Sequence, residues 1–174
     1  MIKADFAAAA VLISFGALIG KMKWIQLFVF ATLEVVFYSL NLTITHGALL
    51  HSDVGGGIYI MVFGAFFGLA ATWFYKPDEA IIDEKGGRGT YTSQAIATFG
   101  TLFLFMYWPS FNAVMVSGVA QQRAVINTLV ALTASVLTSS FVTLIVKEKL
   151  DMEIMLHASL AGGVAVGSCA DIIG

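Results

Sequence analysis

Long apolar runs separated by short polar clusters fill the chain from end to end. A bilayer core of ~30 Å takes about 20 apolar residues in a helix. Runs near that length predict six membrane spans, at 5–20, 24–45, 54–75, 93–112, 122–146 and 152–173. The separators are Lys21-Met-Lys23, residues 46–53, 76–92 and 113–121, and residues 147–151. The pattern therefore predicts an all-α polytopic membrane protein of about six transmembrane helices.

Composition agrees. Of the 174 residues, 59% are hydrophobic and 11% charged, whereas a soluble domain carries about a quarter charged residues. The net charge of -2 includes no basic stripe that could follow a phosphate backbone, so nucleic acid is not an expected partner. The single cysteine, Cys169, excludes a disulfide within the chain and a cysteine-based zinc site.

Charge also gives an orientation. With six spans, Lys21, Lys23, Lys76, Lys85, Arg88, Lys147 and Lys149 share one side, and Lys3 and Arg123 the other. The positive-inside tendency makes the first side cytoplasmic, so loop 76–92 is expected in the cytoplasm and both ends of the chain outside. This loop carries Pro77, four acids, three bases and three glycines, and reads as a solvated connector between two groups of three spans.

In that orientation Phe6, Asp53, Trp108, Phe111 and Asn112 all lie towards the outer face. An acid beside aromatic faces can recruit a small cation through charge and a cation–π attraction of ~1–2 kcal/mol. The same residues also fit an interfacial aromatic belt with Asp53 capping a helix. Glu34, inside the second span, is a functional candidate by position, or else protonated or paired with a neighbouring span. Asp151 fits an N-cap. Gly162, Gly163 and Gly167 give a small face for close helix packing. Asn127, Thr128, Thr133, Ser135, Thr138, Ser139 and Ser140 suit hydrogen bonds between helices.

Five motifs carry a resemblance. Ile2-Lys-Ala-Asp-Phe6, Asp53-Val-Gly-Gly-Gly57, Phe63-Gly-Ala-Phe-Phe-Gly68, Tyr107-Trp-Pro-Ser-Phe-Asn112 and Leu160-Ala-Gly-Gly-Val-Ala-Val-Gly167 resemble, in the same order, the Rh branch of the ammonium transporter family. The resemblance implies a bundle of eleven or twelve helices built as an inverted repeat, assembling as homo- or hetero-trimers with Rh-like subunits. This chain would be its central portion: 1–75 the end of the first repeat, 76–92 the connecting loop, and 93–174 the start of the second. It would lack the remaining spans, as a fragment does.

The resemblance also assigns residues. Phe6 and Phe111 fall at the paired phenylalanines that gate the outer mouth, Asp53 at a buried acid below the vestibule, and Trp108 and Asn112 beside them. The family's first pore histidine belongs eight residues after the acid; this chain has Met61. On a single helix those eight residues rise ~12 Å, to about mid-membrane. Methionine has a weak acceptor sulfur and no exchangeable proton, so no proton relay can pass through position 61. Neutral ammonia or carbon dioxide can cross an apolar constriction, while desolvating ammonium there costs several kcal/mol. The second histidine would lie beyond Gly174, and His46, His51 and His157 do not match the motif.

The expected function is ammonia/ammonium transport, with carbon dioxide as a further permeant, across a plasma membrane. The alternative is a non-conducting Rh-like scaffold subunit or a truncated, inactive fragment; Rh blood-group polypeptides also lack this histidine. No enzyme constellation, metal site or cofactor is expected, since HExxH, a nucleophile elbow and a P-loop are all missing from the sequence.

Overall fold

A computed structural model describes residues 2–49, 52–75 and 90–174. His51 and most of the 76–92 loop lie outside the described residues. Among the described residues six α-helices follow in order: α1 (Ile2–Leu18), α2 (Trp24–Thr43), α3 (Phe63–Phe74), α4 (Tyr91–Ala113), α5 (Val119–Lys147) and α6 (Met152–Val166). A π-helical turn, Ile44–Ala48, prolongs α2, and another, Gly57–Val62, leads into α3. Among the described residues there is no strand.

Each expected span coincides with one of these helices. Trp24–Ala48, Gly57–Phe74 and Val119–Lys147 are both long and apolar enough to cross a membrane. α1 and α6 are apolar but shorter, at 17 and 15 residues. α4 has 23 residues, with polar groups near both ends. Two of the boundaries that differ from the apolar pattern fall at glycines. The third helix starts at Gly57 instead of 54, because Gly56 takes φ 69°, which a helix does not accommodate. α6 stops at Val166 instead of 173; from Gly167 the backbone continues in turns, with Cys169 N donating to the Val166 carbonyl at 3.0 Å.

The chain divides into two compact units. One comprises Met1–Ser52 with Ile58–Arg88, the other Asp53–Gly57 with Gly89–Gly174. In the first, α3 lies directly on α1. A Cβ added at Gly64 would come 2.7 Å from the Ala10 carbonyl oxygen, and one at Gly68 would come 2.8 Å from that of Ser14. Glycines four residues apart on one face thus let the two backbones touch. Aromatic rings join α2 to α3: Phe30 and Phe67 have centroids 5.3 Å apart, Phe63 stacks on Phe67 at 5.5 Å, and Tyr38 meets Phe63 edge-on at 5.9 Å.

In the second unit α5 and α6 pack just as closely, because Gly162 sits against the Ala131 carbonyl. Ser135 Oγ donates to the Ala158 carbonyl and accepts from Gly162 N at 3.1 Å. Asn127 Nδ2 reaches the carbonyls of Ala170 and Ile173 at 2.8 and 2.7 Å, tying down the turns after α6. Thr133 departs from the expectation of bonds between helices, and Ser140 bonds both ways, its Oγ also 3.7 Å from Met155 Sδ of α6. Thr133 donates to its own helix at the Leu129 carbonyl and Ser140 to that of Val136, 2.8 and 2.7 Å away. A hydroxyl in a helix always has its own i-4 carbonyl within reach.

Asp151 caps α6 as expected: its Oδ1 accepts from Glu153 N at 3.1 Å and Ile154 N at 3.5 Å. Lys147 Nζ, 2.7 Å from Oδ2, holds the Asp151 carboxyl below the usual carboxylate range, helped by those backbone bonds.

Candidate functional site

Asn112 is the node of the second unit. It lies near the end of α4, one turn after Trp108 and three residues after Pro109, which supplies no backbone N–H. Its side chain is 1% exposed. Nδ2 donates to Thr128 Oγ1 on α5 and to the Gly163 carbonyl on α6, both at 3.1 Å. Thr128 gives its own single proton to the Ala124 carbonyl at 2.7 Å, so its oxygen can only accept from Asn112. This arrangement fixes which way round the amide sits.

The other end of the amide faces the Asp53–Gly57 segment. A Cβ at Gly55 would lie 2.5 Å from Asn112 Oδ1 and 2.7 Å from the Gly167 carbonyl oxygen, so only glycine fits there. Gly55 N donates to the Gly167 carbonyl at 2.7 Å. Gly57 also comes near Ser168 N, at 3.0 Å from its added Cβ. The run of three glycines thus presses the backbone beside Asp53 onto the end of α6. Asp53 itself is buried, at 4% exposure. Oδ1 of Asn112 has no hydrogen-bond partner among the described residues, nor has the buried Nε1 of Trp108, which lies against Gly163. The Trp108 and Phe111 rings meet at 6.0 Å with a 47° tilt.

The structure therefore brings Asp53, Trp108, Phe111 and Asn112 into one unit, while Phe6 and Met61 belong to the other. Phe6 is buried on α1 at 4% exposure. Met61 is half-buried within the Gly57–Val62 π-helical turn. One expectation of local geometry does not hold. A turn and Gly56 intervene before the third helix starts, so Asp53 and Met61 do not share a helix, and a helical rise of ~12 Å does not describe the path between them. His46, set aside by the motif, places its ring 5.4 Å from that of Tyr59 within the first unit. Thr128, Gly55 and Gly163 were not expected at this node. The triple glycine signalled Gly55, the small face of α6 signalled Gly163 and the polar run of α5 signalled Thr128, but none of these patterns says which neighbour it meets.

Among the described residues no group of three or more His, Cys, Asp or Glu could hold a metal ion. What the arrangement offers is an acid and an aromatic pair next to a fully buried amide.

Comparison with known proteins decides the family. The model of the Ammonium Transporter Family matches residues 1–174. The chain belongs to the ammonium transporter family.

Its relatives lie in the Rh branch. Ammonium transporter Rh type C from Sus scrofa is 45% identical over 177 residues, covering 99% of this chain and 38% of the relative. The Homo sapiens Rh type C protein is 42% identical over 176 residues, covering 99% and 37%. A solved structure of Nitrosomonas europaea Rh50, described with the mechanism of conduction by the Rhesus protein family of channels, matches with a TM-score of 0.83. It is 32% identical and covers 99% of this chain and 47% of that one. This Rh-type chain is thus an integral membrane protein of a transporter family. It spans about 38% of the length of the Rh type C relative from Sus scrofa.

Proposed function

We propose that this Rh-type chain forms part of a pore conducting ammonia/ammonium across the plasma membrane. The observation that carries the reading is its likeness to the Rh50 channel, a TM-score of 0.83 over 99% of the chain. Phe6 and Phe111 each stand where the family carries a gate phenylalanine, and Trp108 and Asn112 line the vestibule with Asp53 beneath. Asp53, beside the Gly55–Gly167 backbone bond, is the structural acid of this vestibule. Residues 1–75 close the first repeat, 93–174 open the second, and loop 76–92 joins them in the cytoplasm. Three subunits, alike or mixed, complete the assembly.

Met61 shapes what passes. An apolar, half-buried side chain offers no replacement for ammonium's hydration shell, whose loss costs several kcal/mol. The species crossing this point is therefore neutral ammonia, with carbon dioxide, also neutral, as a further permeant. The test is flux of the full-length protein in proteoliposomes containing a pH dye. An outside ammonium gradient should raise internal pH faster than in protein-free vesicles, and Phe6→Ala or Phe111→Ala should change that rate.

Met61 also favours a second reading, a non-conducting scaffold subunit. A full-length protein whose flux stays at background, both as it is and as Met61→His, would decide for the scaffold.

A further inference from the structure

In the first unit one hydroxyl serves two acceptors. Ser14 Oγ, fully buried on α1, lies 2.7 Å from the Gly64 carbonyl oxygen of α3 and within hydrogen-bonding distance of Glu34 Oε1 on α2. A serine hydroxyl has one proton and can donate only once. If Ser14 donates to Gly64, a second proton must stand between Ser14 and Glu34. If it donates to Glu34, lone pairs of Ser14 and Gly64 face each other at 2.7 Å. Only a carboxyl that carries its own proton satisfies both contacts.

The surroundings lead to the same conclusion. Glu34 is 0% exposed and its Oε2 has no hydrogen-bond partner. A carboxylate in that position would need a cation, and the three helices offer none. α3 contains no titratable residue, α2 contains only Tyr38 besides Glu34, and α1 contains only Lys3 and Asp5. Lys3 stands eleven residues before Ser14, ~16 Å along the helix, and Lys23 is as far before Glu34. Lys21 Nζ is engaged by the Ala17 carbonyl at 3.1 Å. An uncompensated buried carboxylate is strongly disfavoured, whereas a neutral acid leaves only one carbonyl oxygen unmatched.

We infer that Glu34 is held as the neutral acid and that its proton completes a relay across three helices: Glu34 Oε1–H donates to Ser14 Oγ, and Ser14 Oγ–H donates to the Gly64 carbonyl. Glu34 is thus a positioning residue. The relay crosses the α1–α3 seam two turns from Phe6 on α1 and three residues from Met61 ahead of α3. It fixes the register of the two elements that carry these side chains. The inference does not depend on the transport reading, since a scaffold subunit would need the same relay.

The test uses the full-length protein in lipid. Infrared spectra of the wild type at neutral pH should show a protonated-carboxyl C=O band that disappears in Glu34→Gln. Glutamine keeps a donor to Ser14 without charge, so E34Q should melt like the wild type, while Glu34→Ala and Ser14→Ala should melt several degrees lower. The absence of any band assignable to Glu34 at neutral pH overturns the inference, as does an E34Q variant that loses as much stability as E34A. Should Glu34→Ala fail to fold, the comparison of wild type with E34Q decides alone. Ammonia flux enters none of these readouts, so a chain that proves non-conducting leaves the outcome unaffected.

Discussion

Asn112 places its two amide hydrogens on two different helices and its oxygen against a third segment. Such a residue cannot be replaced by an apolar one of similar volume without stranding its partners. Asn112→Leu leaves the Gly163 carbonyl and the Thr128 oxygen short of a donor, and each unmatched buried group costs about 1–3 kcal/mol. The expected result is a clearly lower melting temperature for the purified full-length protein, followed by scanning fluorimetry. Gly55→Ala acts on the same node from the other side: its methyl would overlap Asn112 Oδ1 and the Gly167 carbonyl. It should destabilise as strongly as the Leu variant, and an Ala variant as stable as the wild type would contradict the packing described. Met61 belongs to this scale too. Met61→His adds a hydrogen-bonding, titratable ring to a half-buried turn, and ammonia flux in proteoliposomes should rise above that of the parent protein. Of these residues, Met61, Asp53 and Asn112 were recognisable from motifs. Thr128 was recognisable only as one polar residue of several on α5, since nothing local distinguishes it from Thr133.

At the level of elements, the contrast lies between helix position and helix ends. Apolar length located the six helices, because a helix satisfies its backbone within a single segment of the membrane. The ends were set by glycine conformation and by capping. Gly56 at φ 69° delays the third helix, and Gly118 at φ 68° precedes the start of α5. Small residues decide how closely elements approach. Gly64 and Gly68 leave no room for a side chain on the α1 side, so Gly68→Leu should push α3 off α1 and lower the melting temperature by several degrees. At the start of α6, Asp151 supplies a pH dependence. Its carboxyl titrates lower in the folded protein than in the unfolded chain. The cap therefore contributes above the unfolded value of ~3.9, and the contribution is lost as pH falls through the depressed folded value. Exposure to solvent and salt keeps this effect small. Melting temperatures of wild type and Asp151→Asn, which keeps the cap acceptor but not the charge, should converge as the pH is lowered through the acid range; a constant difference between them would exclude a contribution from the Asp151 charge.

For the whole molecule, the chain's six helices belong to an Rh-type transporter bundle whose relatives are more than twice as long. Many large apolar side chains stay exposed, among them Trp24, Phe28, Trp73 and Phe99. Lipid or further protein must meet them in the membrane. The charge asymmetry predicts that loop 76–92 faces the cytoplasm. With Cys169 changed to serine in the full-length protein and any other cysteines likewise removed, a cysteine introduced at Arg88 should react with an impermeant thiol reagent only after the cell is opened. Labelling from outside intact cells would reverse the orientation. Native mass spectrometry in mild detergent should find trimers.

By itself the sequence determined the membrane setting, the number and approximate position of the helices, and the family. Each of these follows from properties repeated over many residues: apolar run length, charge asymmetry and motif order. The tertiary structure decided which polar atoms meet. That Ser14 stands between Glu34 and Gly64, that Asn112 links α4, α5, α6 and the glycine turn, and that Asp53 precedes its helix all depend on contacts between residues distant in the chain. A one-dimensional pattern specifies which face of a helix is small or polar. It does not specify the depth at which that face meets its neighbour, and hydrogen bonds of about 3 Å are formed or lost on that scale.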